Sequence, residues 1–214
     1  MYRCLNGNDL SNTKIISTIF KNNHAQNGGA IYYNSHNNEI KIINSKFIEN
    51  KAEYFGGAIF TLLDIKNIIS NIENTSIEYN RAYIGGAIYT KNDNNKNNNS
   101  NINNNKNELY NNISFTNNNY EPHNHNFAES HGNNFASSPY KVKLITPFSV
   151  ANVTSGEAYP LEFILIDELD QTFVDKFNYH LNLNLIIKED NSDGEFQNDI
   201  KLVGNSCHFS DGIK

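Results

Sequence analysis

Between Phe20 and Ile31 the chain reads FKNNHAQNGGAI; between Phe47 and Ile59, FIENKAEYFGGAI; and between Ile77 and Ile88, IEYNRAYIGGAI. The common grammar is an aromatic residue or Ile, two residues, Asn, one residue, Ala, a spacer, and then Gly-Gly-Ala-Ile. Asn recurs at Asn23, Asn50 and Asn80, and the alanines are Ala25, Ala52 and Ala82. The glycine pairs are Gly28-Gly29, Gly56-Gly57 and Gly85-Gly86, so successive pairs are 28 and 29 residues apart. A fixed period of this size marks a stacked-repeat architecture, in which no unit buries its apolar face alone.

The segments between these motifs decide what each unit is made of. IISTIF, EIKIINSKF, AIFTLLDI and AIYT are short, rich in Ile, Tyr and Phe, and bounded by Asn and Gly. Such runs read as strands, and the density of Asn and Gly argues against helices of that length. A coil of about three short strands that stacks on its own copy is a parallel β-helix. Like residues then lie in columns. Phe20, Phe47 and Ile77 fill the bore, and Asn23, Asn50 and Asn80 form an amide ladder along the axis. Gly-Gly supplies a positive φ or a close approach at a tight corner. About one residue in five is Asn, which reflects either these ladders or the base composition of an AT-rich genome.

The FxxN and GGAI signatures, here Phe20–Asn23 with Gly28–Ile31, Phe47–Asn50 with Gly56–Ile59 and Ile77–Asn80 with Gly85–Ile88, resemble the polymorphic outer membrane protein repeat first described in chlamydial surface proteins. Ile77 departs from the usual Phe, a swap an apolar column tolerates. The resemblance covers roughly residues 12–118. It implies a right-handed parallel β-helix, pectin lyase-like in fold, on secreted or surface-displayed proteins often associated with adhesion.

The repeat grammar is interrupted after Lys91. Residues 91–112 are almost pure Asn with Lys and carry too little apolar content to offset ordering entropy, which predicts a disordered insertion. Phe115 and Asn118 restore the Phe-x-x-Asn signature without a glycine pair, as in a last, degenerate coil. HGNNFASSPYKVKLI then reads as a closing segment over the open end, which a solenoid needs to avoid edge pairing. From residue 146 alternation takes over in PLEFILID, HLNLNLII and DIKLVG, the pattern of half-buried antiparallel strands. The expected fold is therefore all-β: a right-handed parallel β-helix over residues 1–145, followed by an incomplete immunoglobulin-like β-sandwich over 146–214. Ser155–Asp175 is similar to the first strands of bacterial and fungal surface Ig-like modules, but about 65 residues fall short of the ~100 of a full sandwich.

Chemistry is sparse. The net charge of −6 and the pI of about 5.6 give no general attraction to nucleic acid. No stretch has the ~18 apolar residues of a membrane span, and the opening residues lack the apolar core of a secretory signal. The two cysteines, Cys4 and Cys207, lie at opposite ends and are not expected to pair with each other; a piece of a longer protein is expected. Glycoside hydrolysis needs two carboxylates about 5–9.5 Å apart. The solenoid acids are Glu39, Glu49, Glu53, Asp64, Glu73 and Glu78, one or two per turn; Glu49 and Glu78 are expected near one column in neighbouring turns, solvated on the outer face. His123, His125 and His131, with Glu121 and Glu129, form the densest ligand-capable cluster, but without a known metal-ligand spacing. Asp167–Asp170 (DELD) reads as a solvated turn rather than a calcium site. No catalytic residue, metal or cofactor is assigned. The sequons at Asn74, Asn98, Asn112 and Asn152 are no more than chance supplies in so Asn-rich a chain, and stacking is expected to shield Asn74.

These readings converge on a non-catalytic fragment of an extracellular or cell-surface protein. It would serve as a stalk, an adhesive surface or a scaffold, with protein partners or cell-surface glycans. A narrower resemblance is to the scaffoldin-like, Asn-rich surface proteins of anaerobic fungi, which implies dockerin-bearing enzymes as partners. The competing reading is a carbohydrate-active β-helix, a polysaccharide lyase or a glycan-binding module. Tyr32, Tyr33, Phe60 and Tyr89 after the GGAI corners would be its aromatic stripe, although alternation buries about half of them in the core.

Overall fold

The computed structural model describes residues 4–5, 13–34, 40–63, 68, 71–91, 113–114, 126–146, 161–173, 182–184 and 206–208. It is a parallel β-helix. The first coil consists of β2 (Thr13–Ile16), β3 (Ile19–Lys21), β4 (His24–Asn27) and β5 (Ile31–Tyr33), preceded by β1 (Cys4–Leu5). The second is β6 (Ile40–Ile43), β7 (Lys46–Ile48), β8 (Lys51–Phe55) and β9 (Ile59–Thr61), and the third β10 (Ile72–Glu73), β11 (Thr75–Glu78), β12 (Arg81–Ala82) and β13 (Ile88–Thr90). A fourth coil contributes β14 (Ile113–Ser114), β15 (Phe127–Ala128) and β16 (Phe135–Ser137). Equivalent strands pair in parallel, giving faces of order β10-β6-β2, β14-β11-β7-β3, β15-β12-β8-β4 and β1-β5-β9-β13-β16. A full coil thus has four strands where the sequence suggested three.

The extra strand exists because single left-handed residues turn the chain sharply. Ser17, Asn44 and Asn74 occupy that conformation at the corner between the first and second faces, and Asn22, Glu49 and Tyr79 at the next. Such corners cost little for Asn but are uncommon for Glu and Tyr, so recurrence at one place in each coil shows that the stacked neighbours impose them. At the corner between the third and fourth faces the residues are Gly28, Gly56, Gly85 and Gly132, with φ of 60–72°. The second glycine of each pair answers a different need. A Cβ on Gly57 would lie 2.0 Å from the Gly86 carbonyl oxygen and 2.6 Å from the Arg81 nitrogen.

Register follows chemistry. Phe20 pairs with Phe47 and Phe47 with Ile77, Ile42 with Ile15 and Ile72, and Ile59 with Ile31 and Ile88. These residues line the bore, where Phe47, Ile42, Ile59, Ile72, Ile77 and Ile88 are fully buried. Area removed from water stabilises at about 25 cal/mol per Å², and a one-residue slip would turn each set outward.

The far end of the bore is closed by the chain itself. β17 (Pro139–Leu144) pairs antiparallel with β18 (Phe163–Asp167), and the turn after β18 folds back on the last coil. Leu169 joins the bore core, while Leu165 and Phe173 pack outside it against Tyr89 and Ala136. This corrects two expectations. Gly132–Ser137, read as the start of a closing segment, completes the fourth coil, and the closure comes from residues 165–173. Of the remaining C-terminal residues, β19 (Asn182–Asn184) pairs antiparallel with β20 (Ser206–His208). The rest of the anticipated sandwich and nearly all of the 91–112 insertion lie outside the described residues, as do Phe115 and Asn118. Among the described residues, no helix is long and apolar enough to cross a membrane.

Candidate functional site

The anticipated amide ladder is built. The backbone N–H and Nδ2 of Asn23 donate to Asn50 Oδ1 (3.1 and 2.8 Å), and those of Asn50 to Asn80 Oδ1 (2.9 Å each). Each amide also ties its own coil to the one before. Asn50 Nδ2 donates to the Phe20 carbonyl and Asn80 Nδ2 to the Phe47 carbonyl, both at 3.0 Å. The fourth rung is Asn126, which accepts from Asn80 and donates to the Ile77 carbonyl at 2.7 Å. Its amide ends the ladder within its own coil, on Asn134 Oδ1 at 3.1 Å. The sequence signal for this rung was present in Asn126-Phe127-Ala128, a fourth N-x-A.

A second ladder escaped the sequence reading. The Thr18 N–H donates to Ser45 Oγ and the Ser45 N–H to Thr75 Oγ1, both at 3.2 Å. The Ser45 and Thr75 hydroxyls donate in turn to the Ile43 and Glu73 carbonyls at 2.9 Å. Its signal is a Ser or Thr directly after each left-handed Ser17, Asn44 and Asn74. Asn74 itself is exposed, contrary to the expected shielding, and its Nδ2 donates to Asn44 Oδ1 at 2.7 Å.

The outer faces carry ion pairs between coils rather than an acid cluster. Lys21 meets Glu49 at 3.6 Å, Lys41 meets Glu73 at 3.0 Å, and Arg81 meets Glu129 at 2.9 Å. These pairs are about half exposed and add little stability. Glu49 and Glu78 do stand beside each other in neighbouring coils, the Glu49 N–H donating to the Glu78 carbonyl at 3.1 Å, but Glu78 is in register with Ile48 and its side chain accepts from the Ser76 hydroxyl. Arg81 also lies over the Phe127 ring, 5.1 Å from its centroid.

Of the histidine cluster, His123 and His125 lie outside the described residues. His131 stands in the corner column occupied by Phe55 and Ile84 in the preceding coils: the Gly85 N–H donates to its carbonyl as the Gly56 N–H donates to that of Ile84. Its Nδ1 meets Ser130 Oγ at 3.1 Å, and its ring sits edge-on to Phe173 at 5.0 Å. Burial lowers its pKa to about 4. Glu129 is engaged by Arg81. Among the described residues, no three His, Cys, Asp or Glu side chains are placed to hold a metal ion.

The DELD run is a structural turn. Asp167, fully buried, accepts from the Leu169 and Gln171 N–H groups on Oδ1 (2.8 and 2.9 Å), and from the Ser137 N–H and Gln171 Nε2 on Oδ2 (3.2 and 3.0 Å). Burial raises its pKa, against those hydrogen bonds, which lower it. Asp170 pairs separately with Lys141 at 3.3 Å.

The aromatic stripe divides by face. Tyr33 turns into the bore, and Tyr32, Phe60 and Tyr89 form a row outside the fourth face. Tyr32 stacks on Phe60 at 4.8 Å and 3°, and Phe60 on Tyr89 at 5.7 Å and 15°. Phe55, Tyr83, Ile84 and Phe173 cover the row in its lower part. At its upper end an open pocket of about 410 Å³ is lined by His24, Ala25, Gln26, Asn27, Tyr32 and Glu53.

Two stretches, residues 17–34 and 44–62, match the family model of the Chlamydia polymorphic membrane protein repeat. No curated protein and no solved structure matches the chain.

Proposed function

We propose that this chain, whose first two coils carry the Chlamydia polymorphic membrane protein repeat, is a non-catalytic module of an extracellular or cell-surface protein. It holds a rigid stack of coils and presents their outer faces as an adhesive or scaffolding surface. The observation that carries this reading is where the polar side chains are used. The asparagines and hydroxyls at the corners bond coil to coil, and Glu49, Glu73 and Glu129 are each engaged by a cation from another coil. A catalytic groove needs carboxylates held free toward a substrate. The family description, a membrane-protein repeat, supports a surface location.

Immunolabelling of intact and permeabilised source cells tests the location; labelling only after permeabilisation would sink it. Incubation with a panel of polysaccharides tests the absence of catalysis, since release of reducing ends or unsaturated uronides would overturn it. Pull-down with dockerin-bearing proteins examines the scaffold version, in which specific capture is expected at the outer faces.

A further inference from the structure

In the second and third coils the corner between the third and fourth faces is filled by Phe55 and Ile84, which pack on the outer aromatic row; Phe55 lies 4.6 Å from Tyr89. The register places Asn27 at this position in the first coil: Asn27 pairs with Phe55, and Phe55 with Ile84. Asn27 is smaller and polar, and beside it, on the edge strand of this face, lies the pocket of about 410 Å³. That volume lies within the roughly 300–1,000 Å³ common for ligand pockets. Asn27 Oδ1 is shielded yet has no hydrogen-bond partner among the described residues. A polar group unsatisfied where its neighbouring coils place apolar side chains works against stability, and such local conflicts concentrate at functional positions.

We propose that this pocket is a binding site for a neutral sugar unit of a glycan. The Tyr32 ring, braced by its stack on Phe60, offers an aromatic wall for the C–H face of a pyranose. The exposed Gln26, Glu53 and His24 side chains supply both donors and acceptors for ring hydroxyls, with the Asn27 amide in the lining beside them. Among the described residues of the lining there is one carboxylate and no Lys or Arg, which favours a neutral sugar over an anionic one. The described lining holds a single carboxylate, Glu53, whereas cleavage would need two, and the proposal is of binding alone. The inference deepens the adhesive version of the surface role and rests on it.

The test uses the whole chain with cello-, xylo- and manno-oligosaccharides of about four units, followed by saturation-transfer NMR and calorimetry. At least one is expected to bind, and Asn27→Phe, which restores the side chain of the coil below, is expected to weaken binding by about tenfold or more. Tyr32→Ala is expected to do the same. Because Asn27→Phe removes an unsatisfied amide, its unfolding midpoint should equal or exceed that of the parent, separating loss of the site from loss of the fold. Binding that persists unchanged in Asn27→Phe, or binding of no neutral oligosaccharide, overturns the site. In the second case labelling of intact cells would leave the surface role standing, so the two readings fail separately.

Discussion

The amide ladder makes a graded forecast about what each asparagine contributes. In Asn80→Ala the Asn50 N–H, which donates to Asn80 Oδ1 at 2.9 Å, is left buried without its acceptor. The amide bonds from Asn80 to the Phe47 carbonyl and to Asn126 Oδ1 vanish as well, as does that from Asn50 Nδ2 to Asn80 Oδ1. A buried donor left unpaired costs about 1–3 kcal/mol and each lost neutral bond about 1 kcal/mol, so the loss should be about 4–6 kcal/mol. Asn23 belongs to the first described coil, and among the described residues its side chain makes a single bond, to Asn50 Oδ1 at 2.8 Å. Its own N–H keeps Asn50 Oδ1 as acceptor, so Asn23→Ala should cost only about 1 kcal/mol. Against a typical total of about 5–15 kcal/mol, the first substitution is severe and the second mild. Urea unfolding followed by circular dichroism measures both, with the slope compared across variants to check that the transition stays cooperative. Equal costs at the two positions, or a cost under about 1 kcal/mol for Asn80→Ala, would refute the ladder as a source of stability.

Further outcomes follow from the other features. Gly57→Ala forces a methyl group against the Gly86 carbonyl and the Arg81 nitrogen, both backbone; thermal melting should show a loss of several degrees or failure to fold. His131 binds its proton less readily folded than unfolded, its pKa falling from 6.5 to about 4. The unfolded chain therefore takes up more protons in that window, and stability should fall as pH drops from 6.5 toward 4, by at most about 3 kcal/mol. His131→Phe, matching Phe55 in the same column, should flatten that slope, as pH-dependent urea unfolding would reveal. Asp167 acts with the opposite sign: its raised pKa means the folded state holds the proton longer, so its own term weakens folding as pH rises above the ordinary carboxylate value. Asp167→Ala strips the acceptor from the Leu169, Gln171 and Ser137 N–H groups. Hydrogen exchange should then rise first in residues 165–173 and in β16, before the second coil responds.

Most of the solenoid was legible because stacked identical strands force equivalent positions to the same residue types. Phe20, Phe47 and Ile77 share one column and Asn23, Asn50 and Asn80 another, so spacing alone carried the register. The fourth coil was misplaced because its glycine pair reads Gly132-Asn133 and its Asn stands 46 residues after Asn80 instead of 27 or 30. The second glycine of a pair makes room for the carbonyl of the coil that follows, as Gly86 does for Asn133, and among the described residues no coil follows Asn133, so a side chain is accommodated there, whereas a motif search on paired glycines passes over it. The hydroxyl ladder was missed because Ser and Thr alternate in it, and because Ser and Thr at a turn have many local uses. The burial of Tyr89 outside the barrel of strands was not readable at all: its cover includes Phe173, which approaches from a segment more than eighty residues further along the chain. The pocket lies beside a difference between coils, Asn27 against Phe55 and Ile84, and acquires meaning only once the register is known.

The unequal distances between rungs carry a lesson about how such a chain can change. Asn50, Asn80 and Asn126 meet with the same geometry although the arcs joining them differ by many residues. The stack is therefore indifferent to contour length and sensitive only to which side chain returns to each bend. Material can be spliced into one arc, or a complete winding added or removed, without disturbing the windings on either side, and even a one-residue difference inside a face is absorbed locally, as between Ala25–Asn27 and Ala52–Phe55, with Ile31 and Ile59 back in step beyond it.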